Sequence, residues 1–221
     1  MDQNFENVPD TKSKYLEIFR ANWVTITLIA ANILVFVVLE IMGDTQNAEL
    51  MYRHGASYPP AIYEDGEYWR FFTAAFMHFG FEHLFNNMIG LGSAGHFLEE
   101  ALGHGKYLLL YLVAAIGSNF ISYEQMCRSN DYAVSAGASG AIFAVIGGLL
   151  WVVIRHKGKY ESLTTRGMMF MIALCLYYGI STAGVDNWSH LGGLVTGFAL
   201  SIILYRPRPK AIDLDTEYPY T

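Results

Sequence analysis

Three groups of polar side chains, set in an otherwise apolar sequence, have the types and spacing that chemistry requires. Ser139 stands in "GASGAIFAVIG" at the head of an apolar stretch, and His190 opens "HLGGLVTGFAL". In "EHLFNN", His83 and Asn87 are four residues apart and therefore share one helix face. A serine hydroxyl is a weak nucleophile until a neighbouring base takes its proton, and an imidazole does this near neutral pH. The tetrahedral intermediate of acyl transfer then needs donors for its oxyanion. The backbone N–H of Ser139, at a helix N-terminus and helped by the helix dipole, is one candidate. The amide of Asn87 and the ring of His83 are side-chain candidates, and Phe143, one turn below Ser139, is suited to pack against the imidazole of His190.

Each piece alone has a plainer use. A lone serine at a helix start is ordinarily a cap or a packing residue, and a lone histidine near a membrane interface is ordinarily a hydrogen-bonded structural group. The esterase elbow G-x-S-x-G is not met, because Ala141 stands where its last glycine belongs. His78 and His83 are not at i, i+4 spacing and no H-E-x-x-H occurs, so no metal site is read here and no cofactor is expected. His96, Glu99 and Glu100 read as structural groups or as a cytoplasmic hydrogen-bond network.

What raises the serine reading above its parts is the set of elements that must position these groups. The chain has 221 residues, 53% hydrophobic and only 15% charged, against roughly 25% charged in an ordinary soluble domain. Its apolar residues fall in six blocks, roughly 22–42, 84–102, 107–123, 139–154, 168–184 and 189–205. Each is near the length of about 20 residues that crosses a hydrocarbon core about 30 Å thick. The expectation is an all-α polytopic membrane protein, a six-transmembrane-helix bundle over residues 22–205 with tails at 1–21 and 206–221. The first block is longer than a signal-peptide core and has no clear cleavage site, so it reads as a spanning helix. With the N-terminus inside, eleven of the fourteen Lys and Arg fall on the cytoplasmic side and only Arg53, Arg70 and Arg128 outside, which puts both termini in the cytoplasm.

That orientation sends the second, fourth and sixth helices from outside to inside and brings the three polar groups to the outer side. From Ser139 to Arg155 and from His190 to Arg206 are 16 residues each, about 24 Å of helix. Both groups therefore lie a few ångströms below the outer lipid boundary. Gly193 and Gly197 follow His190 as a small-xxx-small face, and Gly140, Ala144, Gly147 and Gly148 offer the complementary surface on the fourth helix. Packing these faces sets Ser139 beside His190. The outer stretch from Gly43 to Arg70, with "YPP" and "YEDGEYWR", reads as a structured or interface-lying element. Cys127 and Cys175 are placed too differently to imply a disulfide.

At this point the residues match a known family. "YWRFFTAAFMHFGFEHLFNN", "GASGAIFAVIG" and "SHLGGLVTGF", in this order over about residues 22–205, resemble the rhomboid intramembrane serine proteases. The resemblance implies that Ser139 is the nucleophile of G-x-S-G, which begins at Gly137, and that His190 is the general base. His83 and Asn87 match H-x-x-x-N and imply oxyanion stabilisation with the backbone of Ser139. Trp69 and Arg70 match the W-R of the first outer loop, a structural element, and Glu99 and Gly103 match E-x-x-x-G after the second helix. The family works without a third acid, and Asp186, in a short outer loop, is given no catalytic role. Phe143 replaces a tyrosine often found there, and Asn86 adds a second amide of no assigned role.

The implied substrate is a transmembrane protein in a lipid bilayer, cleaved near its outer end. The fifth helix is the implied gate against the second, and "AGVDNW" the cap of the site. Neither nucleic acid nor a metal is expected as a partner. The expected location is a bacterial plasma membrane with the site opening to the extracytoplasmic side. Two other readings compete: a non-catalytic protein that binds membrane helices or serves quality control on the same scaffold, and a small transporter or channel. A transporter would need polar residues continuing across the membrane, whereas the fourth and sixth helices are apolar below their outer third.

Overall fold

A computed structural model of the chain describes residues 11–182 and 184–207, and these are mostly helical. The long helices are α1 (Thr11–Met42), α5 (Gly80–Leu102), α6 (His104–Ser129), α7 (Ser139–Arg155), α8 (Thr165–Ser181) and α9 (Asn187–Leu204). They stand where the six apolar blocks predict them, with ends shifted by a few residues. The largest difference is at α1, which begins at Thr11, inside the stretch read as a tail. Asn22 has non-helical dihedrals (φ −135°, ψ 26°) and breaks this helix into a leading segment and a long apolar one. The rest of the two expected tails, residues 1–10 and 208–221, lies outside the described residues.

Phe19–Met42, α6 and α9 are long and apolar enough to cross a membrane, and α7 is a shorter apolar helix. In α5 the polar side chains of His83, Asn86, Asn87, Ser93, His96 and Glu99 dilute the apolar character. At 17 residues, α7 and α8 are short of the about 20 that a lone spanning helix needs.

The centre of the bundle is α7, which packs against α9, α6, α5 and α8 and buries residues on every face. Its contact with α9 is at backbone distance. A Cβ added to Gly193 would overlap the carbonyl of Gly140, one on Gly197 would overlap that of Ala144, and one on Gly147 would overlap that of Leu194. Hydrogen alone fits between the two backbones at these levels, so the small-xxx-small faces do mesh. The other side of the molecule is looser: α8 buries only Met168, Ile172 and Gly179.

Glu99 ties α1 to α5. Its carboxylate, 1% exposed, accepts the backbone N–H groups of Val24 (2.9 Å) and Thr25 (2.8 Å) and the Thr25 hydroxyl (2.6 Å), with His104 Nδ1 at 2.7 Å. A buried carboxylate is tolerated only when its lone pairs are this fully used. Gly103 then takes φ +80° in the turn to α6. On the same end of the bundle a two-stranded hairpin, β1 (Lys159–Tyr160) with β2 (Leu163–Thr164), joins α7 to α8. There Tyr205 OH and His156 Nε2 stand 2.6 Å apart, linking the ends of α7 and α9.

Between α1 and α5 the connecting stretch folds into α2 (Ala48–His54), α3 (Pro59–Tyr63), α4 (Arg70–Thr73) and a 3-10 turn, Ala74–Phe76. Asn47 caps α2 by accepting the N–H groups of Glu49 and Leu50. Arg70 is the pin of this region. It is 3% exposed; Nη1 donates to the carbonyls of Tyr52 (2.6 Å) and Ala56 (2.8 Å), and the guanidinium pairs with Glu67 at 2.6 Å. Its Cζ lies 4.7 Å from the ring centres of both Tyr52 and Trp69. Both cysteines are free.

Candidate active site

Ser139 is the first residue of α7 and His190 lies in the first turn of α9. The glycine-mediated contact of these two helices brings Ser139 Oγ within 2.9 Å of His190 Nε2. When that nitrogen carries no proton, the hydroxyl donates to it. Phe143 stacks on the imidazole with ring centres 4.3 Å apart and planes 12° from parallel, and so limits its rotation. The expected packing is present.

The loop that delivers Ser139 is held at several points. Ser135 forms an antiparallel bridge with Ser57, N–H to carbonyl in both directions at 2.8 and 2.9 Å. Gly137 N–H donates to the carbonyl of Ala74 at 2.9 Å, and Ala138 N–H donates to His78 Nε2 at 3.4 Å. Gly137 has φ +147°, and a Cβ there would lie 2.9 Å from Cε1 of His83, so the glycine is needed both for its backbone and for the ring that lies over it. This contact sets His83 beside the turn into Ser139.

Among the described residues no side chain caps α7, and the first N–H groups of a helix have no intrahelical acceptor. The cavity beside the Ser139 hydroxyl opens at this end of the helix. Asn87 lines the same space. It is buried, and its Nδ2 has no hydrogen-bond partner among the described residues. A buried amide donor without an acceptor is costly. His83, Asn87, Ser139, Phe143 and His190 thus line one cavity of about 1990 Å³, which continues along α8 past Met171. Asn86 also faces this cavity but is exposed.

A family model described as the Rhomboid domain matches residues 65–207 of the chain. The chain belongs to the rhomboid family. It is 35% identical over 187 residues to the rhomboid protease GluP of Bacillus subtilis, an alignment that covers 85% of this chain and 36% of the relative. To RHOMBOID-like protein 5 of Arabidopsis thaliana it is 34% identical over 149 residues, 66% of this chain and 48% of the relative. To the rhomboid protease GlpG of an Enterobacter species it is 28% identical over 185 residues, 82% of this chain and 63% of the relative. The chain therefore spans between about a third and two thirds of the length of these rhomboid relatives. Membership makes it a membrane protein of a family that includes proteases.

Reading the rhomboid sequence residue by residue leaves two contributors out. His78 was weighed only as a metal ligand, yet it is fully buried and accepts from the residue that precedes Ser139. A histidine between Met77 and Phe79, two residues ahead of the helix-starting Gly80, was the available signal. Asp186 caps α9 by accepting the N–H of Ser189 at 2.9 Å, and its place three residues before Ser189 is an ordinary N-cap signature. The remaining candidates, Trp69, Arg70, Glu99 and Gly103, stand away from the Ser139–His190 pair and hold the scaffold.

Proposed function

We propose that the chain is an intramembrane serine endopeptidase that cuts transmembrane proteins near the outer end of a membrane-spanning segment. The observation that carries this reading is the 2.9 Å approach of Ser139 Oγ to His190 Nε2 at the meeting of two apolar helices, beside a buried amide, Asn87 Nδ2, that has no acceptor among the described residues. In the reaction Ser139 Oγ attacks the scissile carbonyl while His190 Nε2 takes its proton. The oxyanion is met by the N–H of Ser139, by Asn87 Nδ2 and by the ring of His83. His190 returns the proton to the leaving amine, an acyl-enzyme remains, and a water activated by the same imidazole releases the acid. Among the described residues no carboxylate is hydrogen-bonded to the imidazole; Phe143 keeps its plane and Gly137 admits His83. Gly193 and Gly197 serve by allowing the close approach of α9 to α7.

The same reading takes α1, α5, α6, α7, α8 and α9 as six spanning helices, with both termini in the cytoplasm and Ser139 opening to the extracytoplasmic side of a bacterial plasma membrane. α7 and α8 are tolerated at 17 residues because one is enclosed by its neighbours and the other can thin the bilayer locally. Substrate enters from lipid between α5 and α8, where the cavity runs, and the loop before α9 covers the site.

The test is labelling of the detergent-solubilised chain by a fluorescent fluorophosphonate, followed by cleavage of a model transmembrane substrate. Labelling is expected in the wild type and lost in Ser139→Ala and His190→Ala. A folded wild type that takes no label and cuts nothing would leave a helix-binding protein on the rhomboid scaffold as the better reading.

A further inference from the structure

One carboxylate joins the two halves of the Ser139–His190 pair from behind. Asp186 Oδ2 accepts from the hydroxyl of Ser122 on α6 and from that of Ser135 at 3.0 Å, while Oδ1 accepts the N–H of Ser189 at 2.9 Å. Its carbonyl accepts the N–H of His190 at 3.2 Å. Ser122 is buried on α6, Ser135 lies four residues before Ser139, and Ser189 immediately precedes His190. Among the described residues Asp186 makes no ion pair, so its lone pairs are met by these three donors.

The need for such a link follows from what the helix packing leaves open. The glycine contacts fix α7 against α9 at and below Gly140, but Ser139 stands at the last point of that contact, on a helix with no side-chain cap. The loop before it is tied to the outer segments, through Ser57, Ala74 and His78. Among the hydrogen bonds described here, Asp186 with Ser135 is the one by which the loop before Ser139 is tied to the first turn of the helix that carries His190. A hydrogen bond accepted by a carboxylate is shorter and stronger than one between neutral groups, and three of them on one side chain leave that side chain little freedom.

We propose, resting on the protease reading, that Asp186 is a positioning residue: its carboxylate locks the Ser135 loop to the start of α9 and so holds Ser139 Oγ at bonding distance from His190 Nε2. It touches neither substrate nor the reacting atoms. Its effect is on the geometry of the pair, and therefore on turnover rather than on substrate affinity.

The experiment compares wild type, Ser135→Ala, Asp186→Asn and Asp186→Ala as full chains in detergent. The readouts are the second-order rate of fluorophosphonate labelling, kcat and KM on a model transmembrane substrate, and the thermal midpoint. Ser135→Ala leaves the helix cap intact and removes only the loop-side bond. It is expected to slow labelling and kcat about 10-fold, the order of one charge-assisted hydrogen bond, with KM within twofold and a midpoint lowered only slightly. Asp186→Ala is expected to lose about 10²-fold, the effect of a misplacement near 1 Å, and Asp186→Asn, which keeps the cap oxygen, to fall between. If Asp186→Ala does not fold, Ser135→Ala decides alone. Wild-type labelling and kcat in both Ser135→Ala and Asp186→Asn would overturn the assignment while leaving the protease reading intact. A wild type that takes no label would remove the reading itself, and with it the pair that Asp186 is said to position.

Discussion

Replacing Gly193 by alanine is expected to slow acylation of Ser139 about 10²-fold in a chain that still folds. A Cβ at this position would lie 2.8 Å from the carbonyl carbon of Gly140 and 3.3 Å from its Cα. The Cβ would also overlap the Gly140 carbonyl oxygen, and carbon atoms in good contact are 3.5–4.0 Å apart, so α9 must withdraw from α7 by at least about 1 Å at this level. His190 is three residues away on the same helix and moves with it. Its Nε2, now 2.9 Å from Ser139 Oγ, would then stand near 4 Å, outside hydrogen-bonding range. The overpacking itself costs about 1–3 kcal/mol, which lowers the thermal midpoint without unfolding the bundle. Gly117→Ala is the control, because it faces the same helix from α6 but its Cβ would meet Thr196 Cγ2 at an ordinary 3.6 Å. The assay is the labelling rate under excess fluorophosphonate, with a thermal melt of each variant. A Gly193→Ala chain that labels within threefold of wild type, or a Gly117→Ala chain that slows as much, would refute the claim that backbone contact of α7 with α9 sets the dyad distance.

Asn87→Ala is expected to lower kcat about 10²-fold with little change in KM, as removal of one oxyanion donor does. Because Asn87 Nδ2 has no partner among the described residues, the same change leaves the thermal midpoint equal or higher; a lower midpoint would make the amide structural instead. Phe143→Ala removes a ring stacked at 4.3 Å on His190, an interaction of about 0.5–1.5 kcal/mol, and should cost roughly 2- to 10-fold in labelling rate, whereas Phe143→Tyr should keep it; equal rates in all three chains would deny the ring a role. Arg70→Ala should destabilise the chain by about 3 kcal/mol, since it strands the carbonyls of Tyr52 and Ala56 and the carboxylate of Glu67, read as loss of thermal midpoint in detergent; an unchanged midpoint would show that the outer segment holds itself.

The helices and the Ser139–His190 meeting were legible because both rest on local rules. Apolar length marks the helices, and Gly193 and Gly197 spaced from His190 announce a face that admits another backbone. What was not legible depends on contacts between distant side chains and main chain, which carry no spacing. Arg70 reaches carbonyls at Tyr52 and Ala56, and any residue offers a carbonyl. Glu99 finds backbone N–H groups on α1 that are orphaned only because Asn22 interrupts the helix there. The four short elements of the outer stretch follow from that pinning, so its composition could mark it as structured but not say how. Asp186 looked like a loop residue for the same reason: its partners, Ser122 and Ser135, come from segments that only the folded chain brings together.

The unequal packing of the bundle divides its resistance to local unfolding. α7 and α9, in contact backbone to backbone, are expected to belong to the part whose amide protons exchange only when the whole bundle opens, while α8, with three buried residues, is expected to open at small free energy. Every side chain of the Ser139 site stands on the first part or on α5, and none on α8. Excursions of α8 therefore widen the path along the cavity without disturbing the distance between hydroxyl and imidazole. On the proposed reading, admission and reactivity fall to separate cooperative units, and a substitution that loosens one is expected to leave the other at its native geometry.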